Sequence, residues 1–169
     1  SFSQQLDVTA PKPTWDANKC IACGKCAEAC NYNAIAVVKD KVLVFNELCH
    51  GCGACSFVCP RGALQEQNVT IGKVEAAPGN QPYFAHGLLN IAETLAPRVV
   101  QAVKEHIDPE AINIIDASPG TACPVVKALE ETDVAVLVTE PTPFGLNDLK
   151  LAAAMTRQMS IPTGIAINR

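Results

Sequence analysis

No apolar run in the chain approaches the roughly 18 residues of a membrane-spanning helix. Clusters of Lys and Arg are also missing. With 13 basic against 17 acidic side chains and a formal charge of −4, the chain lacks the footprint of a nucleic-acid binder. The first residues, Ser1-Phe2-Ser3-Gln4-Gln5, have neither a basic n-region nor an apolar h-region, so they do not read as a signal peptide. An initiator Met is lacking too, and Ile165-Ala166-Ile167-Asn168-Arg169 reads as a buried strand, not a tail. The expectation is a fragment of a longer protein. Cysteine is nearly absent from most of the chain: beyond residues 20–59 there is only Cys123. A disulfide-stapled secreted domain would be shorter and would spread its cysteines more evenly. Reduced thiols without a signal peptide point to the cytoplasm.

What is present is concentrated. Of nine cysteines, eight lie between Cys20 and Cys59. The remaining composition, 49% hydrophobic and 18% charged, suits a globular protein of one domain or two small ones. Residues 15–66 contain an internal repeat. Cys20, Cys23, Cys26 and Cys30 map onto Cys49, Cys52, Cys55 and Cys59, Gly24 onto Gly53, and Ala34 onto Ala63. Each half is a cysteine loop, a short helix and an apolar run. Two apolar runs, 35–38 and 42–45, flank Lys39-Asp40-Lys41 and predict a β-hairpin.

The pattern changes from about residue 83. Ile91, Leu95, Val99, Ala102, Val103 and Ile107 follow a helical period. Pro97 lies within that run and fits a helix start. Further on, the spacing predicts a strand over 112–116, a helix over 123–131, a strand over 134–139, a helix over 146–159 and a strand over 163–168. Apolar strands alternating with helices predict a parallel, doubly covered α/β sheet. Strands are expected at 69–74 and 84–91, with a turn at Ala77-Pro78-Gly79-Asn80.

Each half of the repeat reads Cys-x2-Cys-x2-Cys-x3-Cys. Three thiolates on a tight loop reach three irons of a cubane, and the fourth, on the following helix, faces the other cluster. The expected ligands of one 4Fe–4S cluster are Cys20, Cys23, Cys26 and Cys59. Those of the other are Cys49, Cys52, Cys55 and Cys30. Gly24 and Gly53 would let backbone approach the clusters. Zinc knuckles also use Cys-x2-Cys pairs, but a doubled four-cysteine run at one offset is not a zinc spacing. Lys25 and His50 lie between the cysteines, either as solvated spacers or as charges near a cluster. His86 and His106 read as surface residues.

Residues 15–66 resemble a bacterial-type two-cluster 4Fe–4S ferredoxin. Asn31 departs from the pattern, where Pro usually follows the fourth cysteine, as Pro60 does in the second half. Two oxidised cubanes, each of about −2, would bring the holo chain to about −8 and favour a basic redox partner.

The second region carries three further segments: Ile114-Ile115-Asp116-Ala117-Ser118-Pro119-Gly120-Thr121-Ala122-Cys123-Pro124-Val125, the stretch from Glu140 to Lys150, and Ile165–Arg169. Together they resemble the MinD/ParA-type P-loop ATPases, specifically the subgroup with an inserted ferredoxin that is related to the Mrp-type iron–sulfur proteins. The fold this implies is α/β. A pseudo-twofold α+β ferredoxin-like insert at 15–66 follows a lead-in of residues 1–14. Part of a parallel P-loop ATPase sheet occupies 67–169. The resemblance also implies that Asp116 is a Walker B-like acid holding Mg²⁺ through water, that Gly120 lies in a switch loop and that Asn168 contacts adenine. Glu140, Pro141, Asn147 and Asp148 align with the loop and helix start after the next strand, and Asn147 or Asp148 would favour the first turn. No G-x4-G-K-[ST] phosphate loop occurs; the Gly-Lys pairs are Gly24-Lys25 and Gly72-Lys73. ATP hydrolysis, and a possible homodimer, are therefore expected of a longer parent and not of this chain. Cys123 reads as a small packing residue at a helix start, with a redox or ligand role as the alternative.

Three functions compete. An electron carrier would exchange electrons with a redox partner protein. An ATPase would couple nucleotide state to electron flow. A carrier would deliver clusters to apo-proteins.

Overall fold

The computed structural model describes residues 4–77 and 83–168. Ser1, Phe2, Ser3 and Arg169 lie outside the described residues, as does the expected 77–80 turn beyond Ala77. The chain divides into two units, Ser1–Val103 and Lys104–Arg169.

The first unit contains β1 (Gln4–Trp15), α1 (Lys25–Glu28), β2 (Ile35–Val38), β3 (Lys41–Val44), a single 3₁₀ turn (Asn46–Leu48), α2 (Ala54–Phe57), β4 (Leu64–Ala77), β5 (Phe84–Leu89) and α3 (Ala96–Lys104), whose last residue opens the second unit. An antiparallel sheet has the order β1-β4-β5. β1 carries Pro11 and Pro13, which give no N–H to a ladder, and its position at an edge makes them tolerable. It pairs with β4 from Gln4↔Ala76 to Trp15↔Leu64, with a bulge at Val8/Thr9 that leaves Ile71 as the extra residue on β4. β2 and β3 form the expected hairpin, with Lys39 turning through φ 56°.

Two apolar cores result. One packs α3 on the sheet through Val8, Ala10, Ile71, Val74, Leu95 and Val99. The helix lies close because β5 is bare at Gly87. A Cβ there would collide with Val99 Cγ1 and stand 3.0 Å from Val103 Cγ2. The helix expected over 91–107 is shorter than its periodicity suggested, and Ile91 is fully exposed. Pro97 sits in the first turn, and ahead of it the Glu93 carboxylate accepts the N–H groups of Thr94 and Leu95 at 2.9 and 3.2 Å. That local alternative to the helical ladder ends it on the N-terminal side. The second core consists of Cys26, Ile35, Val42, Cys55 and Leu64, flanked by Trp15, Val37 and Val44.

The second unit contains α4 (Cys123–Leu129), β6 (Ala135–Thr139), α5 (Pro143–Gln158) and β7 (Thr163–Ile167). β6 and β7 pair in parallel, from Ala135↔Thr163 to Thr139↔Ile167, with α5 as the crossover packed on both. α5 begins three residues before the expected Leu146. Thr142, not Asn147 or Asp148, is its cap: the Thr142 hydroxyl accepts the Gly145 N–H at 3.0 Å, and Pro143 takes the first helical position. α4 stops at Leu129, short of the expected 131, and Glu131 turns at φ 60°.

Two expectations are corrected here. Residues 112–116 are irregular, not a strand. Among the described residues they have no strand beside them, and Ile112 and Ile114 stand 95% and 92% exposed. The sheet is also not doubly covered. Among the described residues it has two strands, with Val136, Val138, Ile165 and Ile167 exposed. A parallel sheet needs helices on both faces to bury such side chains, and α5 supplies one.

Candidate metal centres

The repeat seen in the sequence recurs in the geometry. The N–H of Ala22 points at Cys20 Sγ at 3.4 Å, and that of Gly51 at Cys49 Sγ at 3.4 Å. The N–H of Ala34 points at Cys30 Sγ at 3.3 Å, and that of Ala63 at Cys59 Sγ at 3.2 Å. Such donors stabilise thiolate and tune any centre it ligates. Gly24 and Gly53 open α1 and α2 with φ of 81° and 74°. A left-handed backbone is the reason for glycine at both places. Asn31 leaves the turn unaltered. The Asn33 N–H reaches Cys30 O at 3.2 Å, as the Gly62 N–H reaches Cys59 O at 3.2 Å beyond Pro60.

Two cavities lie against the second core. The first, about 370 Å³ including its mouth, is lined by Cys20, Cys23, Cys26 and Cys59, with Trp15, Lys25 and Arg61 at its wall. The second, about 350 Å³, is lined by Cys49, Cys52, Cys55 and Cys30, with Tyr32, His50 and Glu66. Each takes three cysteines from one loop and one from the other half. Cys23 and Cys52 are exposed, and Cys26, Cys49 and Cys55 are buried.

The thiols differ in acidity. Burial pushes Cys26 and Cys55 up. Burial also opposes ionisation of Cys59, but the N–H groups of Arg61, Ala63, Leu64 and Gly62 together bring it below the usual thiol range. Among the described residues, no three of His, Cys, Asp and Glu stand close enough to hold one metal ion. The eight sulfurs are instead spread around two cavities, and an all-sulfur donor set suits iron–sulfur clusters. Among the described residues, the buried Trp15 Nε1, at the wall of the first cavity, has no hydrogen-bond partner. A donor left unpaired beside four thiols fits a group with acceptor sulfides.

Sequence reasoning overlooked Tyr32 and Lys12. Tyr32 stacks on His50, with ring centroids 3.8 Å apart and planes 12° from parallel, so His50 is held against a neighbour at the second cavity. Lys12 is 2% exposed and reaches Cys49 O. His86 is half-buried and meets Glu75 Oε2 at 3.1 Å. Lys73, at 2.6 Å, and His86 hold the Glu75 carboxyl below its ordinary range.

The residues expected to meet nucleotide are among the lining residues of neither cavity. Asp116 and Gly120 are exposed in the irregular segment before α4, Gly120 with φ 98°. Asn168 is exposed just after β7, its N–H bonded to Thr139 O at 2.8 Å. Thr139 Oγ1 also donates to Gly145 O at 3.0 Å, which binds the 139–145 loop to the start of α5. Cys123 is exposed at the start of α4, so it is not the buried packing residue expected.

Residues 14–65 match the family described as 4Fe-4S dicluster domain. This segment is a ferredoxin-like iron–sulfur domain. The chain is similar to two uncharacterized proteins of Methanocaldococcus jannaschii. One is 33% identical over 142 residues, covering 83% of this chain and 52% of the relative. The other is 30% identical over 131 residues, covering 76% of this chain and 46% of the relative. The chain thus spans about half the length of these curated relatives. Among the described residues, no helix is long and apolar enough to cross a membrane.

Proposed function

We propose that residues 15–66 hold two 4Fe–4S clusters and pass single electrons at low potential to and from a protein partner. One observation carries the reading: each cavity is lined by four cysteines, three from its own loop and the fourth from the other half of the repeat. Cys20, Cys23, Cys26 and Cys59 would hold one cluster. Cys49, Cys52, Cys55 and Cys30 would hold the other. The clusters supply one-electron chemistry when bound. The chain's own part is to fix eight sulfurs, aim four N–H groups at them and keep one face of each site near solvent through Cys23 and Cys52.

The second unit belongs, in this reading, to the sheet of a larger MinD/ParA-type ATPase, with Asp116, Gly120 and Asn168 toward Mg²⁺ and nucleotide. The parallel β6–α5–β7 crossover and its exposed apolar side chains support that placement. As an isolated chain without a phosphate loop, it has no ATPase activity in this reading.

Anaerobic redox titration followed by electron paramagnetic resonance tests the carrier role. Two centres that cycle reversibly with constant iron content are expected. Loss of iron and sulfide to an added apo-ferredoxin would replace electron transfer with cluster delivery.

A further inference from the structure

Lys12 is buried to 2% exposure, and an ammonium has three N–H donors. All three are used. Nζ donates to Asn46 O at 2.7 Å, to Cys49 O at 2.8 Å and to Glu93 Oε1 at 3.2 Å. Glu93 is itself 11% exposed and oriented by the N–H groups of Thr94 and Leu95. The Thr94 hydroxyl adds a bond to Glu47 O at 3.2 Å. The segment before α3 and edge strand β1 therefore clamp the backbone that leads into Cys49, a residue at the wall of the second cavity only.

The repeat contains its own control. At the repeat offset that carries Cys20 onto Cys49, Lys12 falls on Lys41, and Lys41 is exposed at the start of β3. The buried cation therefore serves one half of a sequence that is otherwise doubled. A buried charge is costly unless fully paired. Retaining one at a single cavity directs its charge to one of the two sites. The walls differ in the opposite sense, with Lys25 and Arg61 at the first cavity and Glu66 at the second, so the buried ammonium offsets part of that difference.

We propose that the Lys12–Glu93 pair is a positioning and potential-setting device for the centre ligated by Cys49, and acts on that one of the two centres. The inference rests on the two-cluster reading above. Reduction adds one electron to a centre, with the four thiolates retained and no proton required, so the centre becomes more negative by one charge. The ammonium favours that reduced form, and the carboxylate beside it opposes it.

The test is voltammetry of the anaerobic holoprotein, with the electrode as electron donor. Lys12→Met should lower one couple by about tenfold in its reduction equilibrium constant, about 59 mV for one electron. Glu93→Gln should raise the same couple. Lys41→Met should leave both in place. A purely structural pair would shift the couple in the same direction in both variants, or in neither, and either result overturns the inference. Should Lys12→Met fail to hold its clusters, the rise or its absence in Glu93→Gln decides alone. Wild-type protein that takes up fewer than two electrons per chain would instead sink the two-cluster reading, which separates the two failures.

Discussion

Cys59 lies two residues beyond α2, not on the helix as expected, and in the second half of the repeat, yet it lines the cavity of Cys20, Cys23 and Cys26. Its ligand role is open to a pairwise substitution test. With crossed ligands, Cys20→Ser with Cys59→Ser damages one centre, and iron should fall to about four per chain. Cys49→Ser with Cys59→Ser damages both, and iron should fall toward zero. If each half kept its own four cysteines, the two double variants would exchange outcomes. Colorimetric iron analysis after anaerobic purification reads the difference. The cysteines were legible because their spacing alone encodes a loop with one outlying ligand. Lys12 and Glu93 were not, because 81 residues separate them and only the β1–β4 pairing and the turn before α3 bring them together.

At the scale of elements, the contact between α3 and the sheet depends on a missing side chain. Gly87→Ala places a methyl group against Val99 Cγ1, a buried neighbour with little room to yield. Overpacking of this kind costs about 1–3 kcal/mol, a fall in melting temperature of roughly 4–8 °C per kcal/mol for a unit of this size. Val99→Ala in the same chain should recover part of the loss, because the two changes share one space. Thermal unfolding followed by the visible cluster absorbance measures both. The hairpin β2–β3 and the parallel pair β6–β7 were readable from period and turn residues. β1 falls in the stretch expected to be only a lead-in, and its prolines, Pro11 and Pro13, are accommodated by its edge position. Residues 112–116 had the composition of a strand. Composition, however, does not supply a neighbour to pair with, and Ile112 and Ile114 lie open.

At the scale of the whole molecule, charge and exposed apolar surface matter most. The apoprotein carries −4, and two oxidised cubanes would bring it to about −8. Electron exchange with a cationic acceptor should therefore slow as salt rises, while exchange with a neutral acceptor should hardly change. Stopped-flow reduction of the two acceptor types over a salt series tests this, and equal salt dependence for both would contradict it. The second unit exposes Val136, Val138, Ile165 and Ile167 on a two-stranded sheet, and the chain spans about half of its curated relatives. The sequence pattern announced strands buried on both faces, and the described residues cover one face.

The claim beneath all of this is that eight cysteines hold two cubanes. Iron and acid-labile sulfide, counted per chain in protein purified without oxygen, test it most directly. The account predicts about eight of each. Zinc in place of iron, or about four irons with the full set of cysteines intact, would contradict it.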